Sequence, residues 1–177
     1  MEKETGKSNV FTIGALEKRD IAHLIPVVRT WVRKDDRVIE EEFEAILERF
    51  KESLKRENGD TYLVVRDPGG RAVGIMGFAE VAPNLASWRS SPGNRAAGLA
   101  AVFLSPDIRG EGLGRSLLMA LFDGARKGGW TEMIWTSNHR YRETAWRFYT
   151  KMAGEPVGTI EGFFEQGVTT PVWKKGL

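Results

Sequence analysis

Arg109-Gly110-Glu111-Gly112-Leu113-Gly114 lies between an apolar stretch and a strongly periodic one. Before it, Leu99 to Leu104 reads Leu-Ala-Ala-Val-Phe-Leu, the pattern of a strand buried on both faces, and Ser105-Pro106-Asp107 then turns the chain. After it, Leu113, Leu117, Leu118, Leu121, Phe122 and Ala125 recur at helical spacing until Gly128-Gly129 ends the pattern. Three glycines therefore fall where a strand hands over to a helix. Without Cβ atoms the backbone there can turn its N–H groups outward, and the positive end of the helix dipole adds to the attraction for an anion. The stretch reads as a phosphate cradle. A dinucleotide fingerprint would need glycine at position 115, where Arg115 stands, and a complete P-loop, Gly-x-x-x-x-Gly-Lys-Ser/Thr, occurs nowhere in the chain.

Composition narrows the function classes. The 177 residues, 41% of them hydrophobic, suit a single domain over 1–177 with a sizeable core. Formal charge is +2 with acids and bases interspersed, unlike the concentrated basic stripe of a nucleic-acid binder. Cysteine is absent, which excludes disulfides, thiolate metal sites and a cysteine nucleophile, and His23 and His139 lie far apart, so no metal site is expected. Met1 to Ser8 is polar, and no segment approaches the roughly 18 apolar residues of a membrane span. The expectation is a soluble, cytoplasmic protein with neither nucleic acid nor membrane as partner.

The rest of the chain supplies an order of elements. Val10 to Leu16 fits a first strand, and Asp20 opens a helix with Ile21, Leu24, Ile25, Val28, Trp31 and Val32 as its apolar positions, where Pro26 predicts a kink or a split. A second helix runs from about Val38, acids at its start (Glu40, Glu41, Glu42), bases at its end (Lys51, Lys55, Arg56) and Asn58-Gly59 closing it. Thr61 to Arg66 and Arg71 to Ala79 flank Asp67-Pro68-Gly69-Gly70 as an antiparallel hairpin. Pro83 to Gly98, without periodicity, reads as a surface loop carrying Trp88, Arg89 and Arg95. After the periodic helix come a strand, Thr131 to Ser137, a helix, Tyr141 to Met152, and two closing strands, Val157 to Phe164 and Val168 to Lys174.

The glycine hexapeptide resembles the acyl-CoA-binding motif of the GCN5-related N-acetyltransferases (GNAT), Gln/Arg-x-x-Gly-x-Gly/Ala. Ala145-Trp146-Arg147-Phe148-Tyr149-Thr150-Lys151 resembles the same family's Ala-x-x-Phe-Tyr-x-Lys helix, in the family order. The resemblance implies an α/β fold with a mixed, mostly antiparallel sheet of six or seven strands, helices on both faces and a central acyl-CoA cleft. It implies acetyl-CoA as co-substrate, an amine of a small molecule or peptide as acceptor and direct transfer in a ternary complex; homodimers are common in such a family.

By carry-over, backbone groups of Val102, Phe103 and Leu104 would bond pantetheine like an added strand, and the amides of Arg109, Gly110, Glu111, Gly112, Leu113 and Gly114 would hold the pyrophosphate. Arg115 and Ser116 could add side-chain contacts. Tyr149 matches the tyrosine that protonates the departing sulfur. The glutamate that several members carry on the strand before the motif is missing, since Ala100 and Ala101 stand there. Glu80 is one candidate base, His139 another, and an acceptor arriving partly neutral needs none. Arg142 occupies the place of the family's asparagine and Asn138 lies four residues earlier, so the family's asparagine contact does not carry over directly and Asn138 and Arg142 stand as candidate contacts to CoA. The helix exit, Lys151-Met152-Ala153-Gly154-Glu155, has one residue more than the family's Lys-x-Gly-Phe. Trp31, Trp88 and Arg89 are the candidates for the acceptor side, combining aromatic area with a fixed charge. The rival function is a CoA-binding sensor or interaction module that kept the cleft and lost turnover.

Overall fold

The computed structural model describes residues 10–177; Met1–Ser8, read above as a polar start, lies outside them. In chain order the elements are β1 (Thr12–Ala15), α1 (Asp20–Trp31), β2 (Arg33–Lys34), β3 (Arg37–Val38), α2 (Glu40–Lys55), β4 (Thr61–Arg66) and β5 (Ala72–Glu80). There follow β6 (Ala96–Leu104), α3 (Leu113–Lys127), β7 (Glu132–Thr136), α4 (Arg147–Ala153), β8 (Gly158–Glu161) and β9 (Thr169–Gly176). Seven strands form one sheet in the order β1-β4-β5-β6-β7-β9-β8, and β2 pairs with β3 in a separate ribbon. β1 with β4, β7 with β9 and β8 with β9 are antiparallel, while β6 with β7 is parallel, with Ala96 opposite Glu132 and Ala97 opposite Met133. The mixed, mostly antiparallel sheet is the fold class expected from the sequence.

The described residues divide into two compact units, one comprising residues 10–77 plus Ala100–Leu121, the other Phe78–Leu99 plus Phe122–Leu177. In the first, Leu24, Val28 and Val32 pack with Phe43 and Phe50 of α2 and with Tyr62, Val64 and Ile75 of the hairpin strands. Each fully buried aliphatic side chain contributes roughly 1.5–3 kcal/mol. That explains why α1 runs unbroken through Pro26 instead of splitting. Proline costs about 3 kcal/mol inside a helix, less than the burial of Leu24, Val27 and Val28 on either side of it returns. Asp20, fully buried, takes Arg66 on both carboxylate oxygens at 2.9 and 2.6 Å and the Glu17 N–H at 2.8 Å. Burial alone would raise its pKa, but the Arg66 hydrogen bonds, the Glu17 amide and the guanidinium charge together hold it below the usual carboxylate value.

Several boundaries differ from the sequence reading for local reasons. β1 is shorter than Val10–Leu16. The β2–β3 ribbon was not expected; Asp35 and Asp36 link it with φ of 49° and 60°, both left-handed, as a tight hairpin turn requires, without the usual glycine. α2 closes at Arg56, left-handed at φ 60°, rather than at Asn58-Gly59. The Asn58 amide donates instead to the Arg49 carbonyl at 2.9 Å.

In the second unit, the stretch read as loop holds a 3-10 segment, Pro83–Trp88, and the next strand already starts at Ala96. Leu85 is buried with Val81, Ala96, Ile134 and Val172, and Trp88 packs against this cluster. The indole lies over Gly158, where a Cβ would come within 2.3 Å of the ring. The middle of β6, Gly98 to Val102, is half-buried, not buried on both faces as its apolar run suggested. The helix expected over Tyr141–Met152 is three pieces: a 3-10 turn at His139–Tyr141, a π turn at Arg142–Trp146, then α4. β7, β8 and β9 shift by a few residues from their expected ends.

Candidate functional site

The cradle belongs to the first unit. Gly110 and Gly112 have φ of 85° and 76°, and Glu111 between them is not left-handed. Such alternation turns successive N–H groups toward one side, and only glycine adopts those angles without strain. A Cβ at either glycine would meet no atom within 4 Å, so the space beside the loop is open. α3 begins at Leu113, and the first amide bonded back into the loop is that of Ser116, to the Gly112 carbonyl at 3.0 Å. The amides of Leu113, Gly114 and Arg115 precede the first helical ladder bond. The loop therefore presents backbone donors and a helix N-terminus to open space, a fit for a diphosphate group. Leu117, Leu118 and Leu121 beneath it are fully buried and anchor the helix, while Arg115 and Ser116 are exposed.

Around the cradle, α1 and β6 contribute a cluster the spacing did not foretell. Trp31 Nε1 donates to the Leu104 carbonyl at 2.7 Å. The Arg109 guanidinium lies over the Trp31 ring, 4.4 Å from its centroid. Phe103 is buried and Val102 half-buried on the same strand.

Tyr149 lies in the second unit, on the first turn of α4, and is 5% exposed. Its ring meets Trp135 at 5.7 Å, nearly perpendicular, Trp173 at 5.3 Å and Phe148 at 5.7 Å. Trp135 and Trp173 stack at 6.4 Å, and Trp173 Nε1 donates to Thr150 Oγ1 at 3.2 Å, tying β9 to α4. Removal from water, reinforced by the neighbouring Tyr141, pushes the Tyr149 phenol far above its ordinary value. Burial thus holds the group in its neutral, protonated form. Trp135 Nε1 is buried beside it with no partner, a rare and costly state for an indole. The motif singles out Tyr149 but not the tryptophans that enclose it; their aromatic character on two apolar strands was the available signal.

The remaining candidates are placed as follows. Glu80 is the last residue of β5 and exposed, and His139 is exposed on the 3-10 turn. Asn138 Oδ1 accepts from the Arg140 N–H at 3.1 Å, capping that turn, and Arg142 is exposed at the start of the π turn. Such π turns recur at functional sites. Trp88 packs against apolar side chains of its own unit, and the Arg89 Nε is buried without a partner. Arg95, the other cation of that segment, lies over Trp130 at 4.5 Å and donates to the Gly128 carbonyl at 3.1 Å. Ala100 and Ala101 pack against the first unit's core, so β6 carries no carboxylate there. Among the described residues no cluster of His, Asp and Glu could hold a metal ion, and no helix is long and apolar enough to cross a membrane.

The model of the acetyltransferase (GNAT) family matches residues 25–154. No curated protein matches the chain. Solved structures do. The Salmonella typhimurium acetyltransferase yncA, seen with its cofactor acetyl-CoA, is 21% identical at a TM-score of 0.65, covering 95% of this chain and 94% of its own. A phosphinothricin acetyltransferase from Sinorhizobium meliloti, in complex with AcCoA, is 19% identical at 0.67, covering 94% and 88%. A spermidine N-acetyltransferase from Vibrio cholerae is 15% identical at 0.67, covering 94% and 93%. At these identities the structures establish a shared fold.

Proposed function

Because the chain belongs to the GNAT family of acetyltransferases, we propose that it transfers the acetyl group of acetyl-CoA to a primary amine of a small molecule or peptide, directly and within a ternary complex. The observation that carries this reading is the pair of left-handed glycines, Gly110 and Gly112, opening onto free space at the start of α3 inside the matched segment. In the proposal the amides from Arg109 to Gly114 bind the pyrophosphate, with Arg115 and Ser116 within reach of it from the helix's first turn. Val102 and Phe103 offer backbone groups to pantetheine, and Leu104, whose carbonyl already accepts from Trp31, adds its N–H. Asn138 and Arg142 are the candidates for further contacts to CoA.

The acceptor nitrogen attacks the acetyl carbonyl, the C–S bond breaks, and the Tyr149 hydroxyl gives its proton to the leaving sulfur before taking another from solvent. The motif match supports that role; burial keeps the phenol protonated at rest but makes it a weaker acid, so the transfer depends on the charge that develops on the sulfur. The acceptor attacks as a neutral amine, and the proton its nitrogen sheds on becoming an amide leaves to Glu80, to His139 or to water. Trp88 and Arg89 are kept for the acceptor side, although Trp88 has most of its ring against the protein's own side chains. On this reading the enzyme works in the cytoplasm, and a homodimer is the assembly to look for by light scattering.

The test is calorimetric titration with acetyl-CoA beside NAD and ATP, followed by a panel of polyamines, amino acids and peptides read out by free-thiol release. Selective acetyl-CoA binding with thiol release on one amine class supports the proposal. Binding without release on any amine favours the sensor reading, and no binding removes both.

A further inference from the structure

We propose that Trp31 is a positioning residue for the phosphate arm of acetyl-CoA, not a contact for the acceptor; this rests on the reading of the cradle given above. Its N–H holds the carbonyl of Leu104, the last residue of β6, at 2.7 Å. Its ring face carries the guanidinium of Arg109 at 4.4 Å. Between those two points lies only a short turn, in which the Ile108 N–H bonds the Ser105 carbonyl and the Arg109 N–H that of Pro106. Beyond Arg109 the backbone enters the left-handed glycines. One indole at the C-terminal end of α1 thus grips the chain both where it leaves the strand and where it enters the cradle.

The physical consequence is preorganisation. A free arginine side chain samples many rotamers and gives them up when it meets an anion. Stacked on an aromatic face, the guanidinium is already restricted, its edge N–H groups lie in the plane and remain available to phosphate, and its charge stands beside the cradle. The hydrogen bond to Leu104 keeps the ring from swinging with its passenger. Trp31 is half-buried, with part of its ring against the first unit's core and its face toward Arg109.

Trp31→Phe keeps a ring face and removes the N–H; Trp31→Leu removes both. With the acceptor found by thiol release, the KM and Kd for acetyl-CoA are expected to rise about threefold in Trp31→Phe and about tenfold in Trp31→Leu. The kcat and the acceptor KM should stay within about twofold of wild type, a split that a general loss of structure would not give. If Trp31 acts through Arg109, then in an Arg109→Met background either Trp31 change should cost clearly less than it does alone. Should Trp31→Leu fail to fold, Trp31→Phe and its double variant carry the same comparison. The inference is overturned if the two sites' effects simply multiply, if the acceptor KM rises while that for acetyl-CoA does not, or if acetyl-CoA binding is unchanged. A wild-type protein that binds no acetyl-CoA would instead bring down the cradle reading, and this inference with it.

Discussion

The glycine cradle and the tyrosine cage make their chemistry in opposite ways. The cradle is exposed, uses backbone N–H groups, and owes its shape to two φ angles that residues 110 and 112 adopt because they lack a Cβ. The cage is buried, uses one side chain, and owes its properties to Trp135 and Trp173, which reach Tyr149 from two other strands. A local conformation can be read from a local sequence. An altered pKa cannot, because it comes from water being excluded by residues distant along the chain.

The largest test of that contrast is Tyr149→Phe. On the proposed mechanism it removes the proton donor and keeps the ring contacts, so kcat should fall by about 10²–10⁴ while acetyl-CoA affinity, measured by calorimetry, stays put. Unchanged turnover would return Tyr149 to a packing role. Thr150→Val comes next: it leaves the Trp173 N–H buried beside a methyl group, and urea unfolding should show a loss of about 1–3 kcal/mol. Stability unaffected by this change would mean that the cage stands on ring packing alone.

Gly112→Ala probes the other side. Its left-handed φ of 76° costs any L side chain about 1–2 kcal/mol even in open space, so acetyl-CoA affinity should drop roughly tenfold with kcat little changed. If affinity holds, the loop's hand is not what binds. The smallest expected effect is an absence. The raised phenol pKa moves the pH at which Tyr149 would lose its proton upward, so a pH profile of kcat should show no Tyr149-dependent decline up to pH 10. An alkaline decline below pH 10 that Tyr149→Phe abolishes would contradict the burial argument.

Much of this was legible before any coordinates. The period of Leu117, Leu118 and Leu121 predicted the buried face of α3, and Asp67-Pro68-Gly69-Gly70 predicted the turn between β4 and β5. The differences have separate causes. Asp35-Asp36 makes a turn usually written with glycine, Pro26 sits in a helix that burial keeps whole, and the π turn at Arg142–Trp146 breaks a stretch whose residues all suit an α-helix. Around Pro26 the burial of Leu24, Val27 and Val28 outweighs a local cost of a few kcal/mol, whereas Asp35 and Asp36 are exposed and their own side-chain type tolerates the left-handed region.

By itself, then, the sequence determined the main helices and sheet strands, the glycine turn ahead of α3 and the helical place of Tyr149, because glycine conformation and hydrophobic period act over a few residues. Only the tertiary structure decided that Trp31 would grip Leu104 and Arg109, and that two tryptophans would take Tyr149 out of water. Trp31 and Leu104 are 73 residues apart in the chain, and no periodicity specifies a contact of that separation. It forms where folding brings an aromatic face, a carbonyl and a cation together.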